Sequence, residues 1–350
     1  MDYKVYAKGY IQLIVYGWFF FSASVFAQDN SKAIELYKNG QFSQAIYVFT
    51  QLIKANKNDT VAYIYRGLSK EAMQDYSGAR SDFKKLIKFY PNDATWHFKM
   101  GVLWSETEDY YHSIKEYTTA ITMDSTYAVA YNNRGNSQYM VGDAKHAIMD
   151  FTAAMKADTT YPDPYYNRGH LKMVLGDNKG AIDDFTNAIR LAPDDADAWF
   201  CRAQAYDAMK DTIDALNDYD NVIKLDSSYD DAYFFRGSDR LKLKDAYGAI
   251  EDFTASLQSD TTYYMVYYLR GNAYDSLKQY KSAIQDFTSA IALEEEDAQL
   301  YMARGYSYLK DKQKENACED FNNAYYYGMH SEAGKMIDEN CLGKVKIYWR

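Results

Sequence analysis

Few side chains in this sequence stand at spacings that could carry out a reaction. The five His are His97, His112, His146, His170 and His330; none forms an H-x-x-x-H pair or lies beside a Cys at zinc-ligand spacing. The phosphate-cradling G-x-x-x-x-G-K-[ST], the dinucleotide G-x-G-x-x-G and the nucleophile elbow G-x-S-x-G are all absent. Acidic runs at Pro193-Asp194-Asp195 and Glu294-Glu295-Glu296-Asp297 lack the alternating acids and central Gly of a calcium loop. The expectation is therefore no catalytic group, no cofactor and no metal. The recurring charges come in pairs instead. Arg66, Arg134, Arg168, Arg202, Arg236, Arg270 and Arg304 are each followed sixteen residues later by an acid: Asp82, Asp150, Asp184, Asp218, Asp252, Asp286 and Asp320. Met100 with Glu116, and Lys32 with Val48, stand at the same spacing without the pair. Two chemistries fit: ion pairs between helices, with a reach to the adjacent copy, or an anion-binding stripe. An acid accompanying each base favours the structural pairs, of which Arg134–Asp150, Arg168–Asp184, Arg236–Asp252 and Arg270–Asp286 are representative.

The elements that position these charges repeat. Aromatic-x-x-Arg-small recurs as YIYRG at Tyr63–Gly67, YNNRG at Tyr131–Gly135, YYNRG at Tyr165–Gly169, WFCRA at Trp199–Ala203 and YFFRG at Tyr233–Gly237. The small residue falls at 67, 101, 135, 169, 203, 237, 271 and 305, always thirty-four apart, and Ala33 begins a diverged first copy. Twelve residues on lies a second small residue, such as Ala79, Ala147 or Ala249, and four beyond that a ring, such as Phe83, Phe151 or Phe253. Each copy holds two stretches with apolar residues at i, i+3, i+4 and i+7, the mark of amphipathic helices. In the fourth copy these are Val129–Val141 and Ala144–Lys156, joined by a turn at Gly142-Asp143. Thr160 is the expected N-cap of the next helix and Pro162 its first residue. One such hairpin cannot bury its apolar face alone, so neighbours must stack.

With small residues eighth and twentieth and a ring twenty-fourth in every copy, and a ring fourth in most, the chain resembles the tetratricopeptide repeat family over roughly residues 30–331. The resemblance implies an all-α fold: an α-solenoid of nine 34-residue helix-turn-helix repeats winding as a right-handed superhelix, with a concave groove lined by the first helix of each pair. The family's late Pro is present only at Pro91 and Pro193. In the family the second, fifth, ninth, twelfth and thirteenth places face the groove. Carried over, they give Asn132, Asn136 and Tyr139, then Tyr166 and His170, Phe200 and Gln204, Phe234, Tyr268 and Asn272, and Tyr306. Chaperone-binding members clamp a terminal carboxylate with groove Lys and Arg; that set is missing here, so that activity is not carried over.

The two ends differ from the array. Lys4 and Lys8 precede an apolar stretch, Tyr10–Phe26, that closes on Val25-Phe26-Ala27, the layout of a secretory signal peptide over residues 1–27. An uncut membrane anchor is the competing reading, although seventeen residues is at the short limit for a span. The array is expected over 28–331 and a C-terminal cap helix and tail over 332–350, the cap amphipathic through Ala333, Met336 and Ile337. In an exported chain a bridge between Cys318 and Cys341 competes with two separate thiols; Cys201, mid-helix, is expected in the core.

A net charge of −10 argues against nucleic acid, which requires Lys and Arg to displace phosphate counterions. Three Cys cannot form a disulfide-dense scaffold, and four Pro exclude a Pro-rich linker chain. Three functions stay open. One is a non-catalytic scaffold, periplasmic or secreted, gripping an extended peptide or protein segment in its groove, with membrane contact only through residues 1–27 if uncut. The second is a carbohydrate or cell-wall binder that stacks sugars on groove rings. The third is a self-associating array.

Overall fold

The structure, a computed structural model, describes residues 23–259 and 261–341, with side chains from residue 30 onward except 259. The expected leader, residues 1–27, lies outside this range except for its last five residues, and so does the tail from 342. Every described element is a helix, and no described helix is long and apolar enough to cross a membrane. The chain divides into two compact units between Asp158 and Thr159, so the predicted array spans both.

The first unit holds α1 (Ala23–Lys38), α2 (Phe42–Ala55), α3 (Thr60–Ala72), α4 (Tyr76–Phe89), α5 (Ala94–Ser105), α6 (Tyr110–Met123), α7 (Ala128–Met140) and α8 (Ala144–Ala157). Each helix packs on the next, and the first helices of successive hairpins also touch, as in α1–α3 and α5–α7. The second unit holds α9 (Asp163–Val174), α10 (Asn178–Leu191), α11 (Ala196–Ala208), α12 (Thr212–Leu225), α13 (Asp230–Lys242) and α14 (Ala246–Ser259). It continues through α15 (Tyr264–Ser276), α16 (Tyr280–Leu293), α17 (Ala298–Lys310), α18 (Lys314–Tyr326) and α19 (His330–Asn340). The same contacts recur there, with α19 closing on α18. The cap helix thus starts at His330, two residues earlier than the boundary read from the sequence.

The Gly–ring spacing has a steric cause. A Cβ on Gly135 would sit 2.7 Å from Cε1 of Phe151, so only glycine lets that fully buried ring reach the facing helix. Burying each such ring is worth about 1.5–3 kcal/mol. The turn inside each hairpin needs a left-handed residue. Gly142 and Gly176 supply it at no steric cost, whereas Glu108, Lys210, Lys244, Lys278 and Lys312 adopt φ between 58° and 66° with a side chain attached.

One local expectation is corrected. Pro162 is the N-cap of α9, not its first residue, and it offers no capping side chain; Thr160 precedes the cap. Pro164 occupies the second helical position, where a missing N–H costs no intrahelical bond, and the helix starts two residues later than a Thr160 cap would place it.

Candidate functional site

Three sets of polar and aromatic side chains are organised enough to be candidate sites. The first is the Arg series, which belongs to the seams between helices. Arg134 Nε donates to Asp150 Oδ2 at 2.6 Å and Nη2 to Oδ1 at 2.7 Å, a bidentate pair between α7 and α8. Its third nitrogen, Nη1, donates to Thr118 Oγ1 of the preceding hairpin at 3.0 Å, and the guanidinium lies 5.6 Å from the Tyr131 ring centroid. Arg66, Arg202, Arg270 and Arg304 repeat this geometry on Asp82, Asp218, Asp286 and Asp320, with Thr50, Thr186, Thr254 and Thr288 behind them. Arg168 holds Asp184 at 2.6 Å, and Arg236 holds Asp252 while reaching Asp220 instead of a Thr. These guanidiniums are spent on protein partners, which leaves the anion stripe without donors. Burial pushes the Asp218, Asp252 and Asp320 carboxyls up, with the guanidinium of each pulling the other way. The third copy, like the first with Lys32 and Val48, lacks the pair: Met100 is buried, and His97, standing where Tyr131 stands, meets Glu116 at 2.6 Å.

The second set is the expected groove face. In the first unit Asn132 is 3 % exposed, whereas Asn136 and Tyr139 are half-buried. In the second unit Tyr166, His170, Gln204, Phe234, Tyr268 and Asn272 are half-buried, partly packed and partly presented. Tyr166 packs 5.8 Å from Phe185, with its hydroxyl 3.5 Å from Cys201 Sγ. Burial alone lowers the His170 imidazole below its ordinary value. Besides the enclosed Asn132, two expected contact residues are placed otherwise. Phe200 is only 8 % exposed because Tyr219, Tyr229 and Phe235 surround it, so it is core. Tyr306 turns to the cap, its hydroxyl donating to Glu332 Oε1 at 2.9 Å; burial and that carboxylate push it up to about 12.

In the third set Asp207 and Asp275 stand at the twelfth, groove-facing place of their copies, and their partners were not foreseen in the sequence. Asp207 on α11 accepts from Tyr219 Oη at 2.9 Å and from Lys242 Nζ at 3.3 Å, and Lys242 also holds Asp239 at 2.6 Å. Asp239 is 1 % exposed, and burial beside the Asp207 carboxylate pushes it up to about 6 against the pull of Lys242. The same register recurs two hairpins later, where Asp275 accepts from Ser307 Oγ at 2.7 Å and from Lys310. The available signal was a departure from the repeat: Asp239 occupies a place that is Ser, Leu or Ala in the other full copies.

Cys318 and Cys341 are joined by a disulfide that ties the end of α19 to α18. Cys201 is a buried free thiol pushed up to about 11 by desolvation. Among the described residues no group of His, Cys, Asp and Glu is arranged to hold a metal ion.

Comparison with known proteins agrees with this geometry. Profiles described as Tetratricopeptide repeat match residues 61–93, 162–195, 185–217 and 264–297. A comparison with curated proteins found no match. Among solved structures, the C-terminal part of a TPR repeat-containing protein from Cytophaga hutchinsonii is 21 % identical; the alignment covers 66 % of this chain and 95 % of that one, with a TM-score of 0.57. A tetratricopeptide repeat protein from Parabacteroides merdae is 19 % identical, covering 70 % of this chain and 97 % of that one at 0.49. YrrB, described as a TPR protein with an unusual peptide-binding site, is 21 % identical over 56 % of this chain and 97 % of its own at 0.49. Helical hairpins in a thirty-four-residue register, glycines that admit a facing ring and four matching profiles lead to one assignment: this chain belongs to the tetratricopeptide repeat family.

Proposed function

We propose that this protein is a non-catalytic scaffold that holds an extended segment of a partner protein along the first helices of its hairpins. The observation that carries this reading is the contrast within one helix pair. The ring twenty-fourth in each copy is fully buried, whereas Tyr166, His170, Gln204, Phe234, Tyr268 and Asn272 keep part of their surface in solvent. Rings supply contact area at low entropic cost, and the amides of Gln204 and Asn272 can both donate to and accept from a peptide backbone. Tetratricopeptide arrays generally serve protein–protein interaction without catalysis.

The direct test is site-specific photo-crosslinking in the native host. A crosslinker at Tyr268 is expected to capture a partner protein, and one at the exposed Tyr247 on a second helix is not. Equal capture from both places would defeat the groove reading. We also propose that the protein works in an exported, oxidising compartment, which the Cys318–Cys341 disulfide supports. Finding the protein in the cytosol with both thiols reduced would remove that reading.

A further inference from the structure

Apart from the Pro162 cap of α9, the described turns that lead into first helices of the array come in two kinds. Asp59, Asp93, Asp195 and Asp297 are N-caps whose carboxylates accept a backbone N–H from the first turn. The same place holds Tyr127, Tyr229 and Tyr263 before α7, α13 and α15, and none of these makes a side-chain cap bond. Forgoing the cap costs about 1 kcal/mol of helix stability. What stands there instead is a ring. Tyr229 packs 5.0 Å from Phe200, and Tyr263 packs 5.2 Å from Phe234.

Tyr229 and Tyr263 are consecutive such turns, and between them lies a cleft of about 230 Å³ within the second unit. It is lined by Tyr229, Phe234 and Tyr263, by the buried Ser256 and Val266, and by Asp230 and Asp231 from the first turn of α13. The residues that line it include no base. The volume is below the roughly 300–1,000 Å³ of a small-molecule site, which suits one side chain. Aromatic faces are negative, so rings beside carboxylates attract a cation and repel an anion. Asp231 and Phe234 stand at the second and fifth places of their copy, on the face assigned above to the partner segment.

We propose that this cleft receives the ammonium group of a lysine side chain from the bound partner, held between the Tyr229, Phe234 and Tyr263 rings and the Asp230 and Asp231 carboxylates. The proposal rests on the scaffold reading and adds to it the chemistry of one partner residue. An ammonium suits the place because its compact charge meets two acids, while the alkyl stem lies against the rings.

The test uses the full chain, isotopically labelled, and two probes: Nα-acetyl-lysine N-methylamide and the same molecule neutralised by Nε-acetylation. The charged probe is expected to move the backbone amide resonances of residues 229–234 and 263–266, and the neutral one to leave them in place. Tyr263→Ala should weaken binding about fivefold, the measure of a cation–π contact at a partly exposed site. The Asp230→Asn/Asp231→Asn variant, with its fold checked by circular dichroism, should abolish it. Equal shifts from both probes, no shift from either, or undiminished binding by the Asn variant would each overturn the proposal. Absence of lysine binding by the unaltered chain with crosslinking at Tyr268 preserved would sink this inference alone; lysine binding without crosslinking would sink the groove reading on which it rests.

Discussion

Two neighbouring hairpins of the first unit close the same seam by different means. In α7–α8 a single guanidinium, Arg134, takes both oxygens of Asp150, reaches back to Thr118 and lies over Tyr131. In α5–α6 the Arg place is the buried Met100, and His97 meets Glu116 across the two helices in place of the clasp. Both hairpins nevertheless keep a fully buried ring, Phe151 or Tyr117, against a glycine, Gly135 or Gly101. A buried ring against a small residue, glycine in both of these hairpins, is therefore what they share. The Arg clasp is an addition that ties the hairpin to the one before it.

The hardest blow to this comparison would come from removing the acids. Asp150→Ala leaves Arg134 largely buried without its carboxylate and should cost about 3–5 kcal/mol in urea unfolding, whereas Glu116→Ala should cost about 1 kcal/mol or less. Equal losses would break the contrast. At the far end, the last clasp, Arg304–Asp320, is backed by a covalent tie, and Cys318→Ser with Cys341→Ser should lower stability by about 3 kcal/mol. A buried acid with no guanidinium shows the opposite case. Asp239 is raised from 3.8 to about 6, so its contribution is fully present below the unfolded value and is lost as pH rises through about 6. Between about pH 4 and pH 7 that loss should be on the order of 2 kcal/mol, and Asp239→Asn should flatten the profile; an unchanged profile would mean that Asp239 is not the group titrating. The smallest effect distinguishes the two turns. Glu108 holds in α5–α6 the left-handed backbone that Gly142 holds in α7–α8, so Glu108→Gly should raise stability by about 0.5 kcal/mol by chemical denaturation.

The helices and their partners were legible because the thirty-four-residue register fixes them many times over: Gly135, Ala147 and Phe151 each have counterparts that make a single misreading visible. The Arg–Asp spacing was readable for the same reason. What escaped lies where copies differ. Phe200 and Tyr306 hold groove places by register, yet one is enclosed by the rings of Tyr219, Tyr229 and Phe235 and the other bonds the cap, and both outcomes depend on residues that do not repeat. Asp207, Asp239 and Lys242 meet only because α11 and α13 are neighbours, a contact that local propensity cannot report. The start of α9 was misplaced because Pro162 and Pro164 together allowed two positions for the same cap.

Arg66, Arg134, Arg202, Arg270 and Arg304 each spend one nitrogen on a hydroxyl belonging to the copy behind, and that Thr stands sixteen residues before the Arg, as the Asp stands sixteen after. A duplication or deletion of one whole copy would therefore bring its own acceptor and meet a matching donor, with no polar atom stranded at the splice. Such a chain can change length by increments during evolution without relearning how to fold.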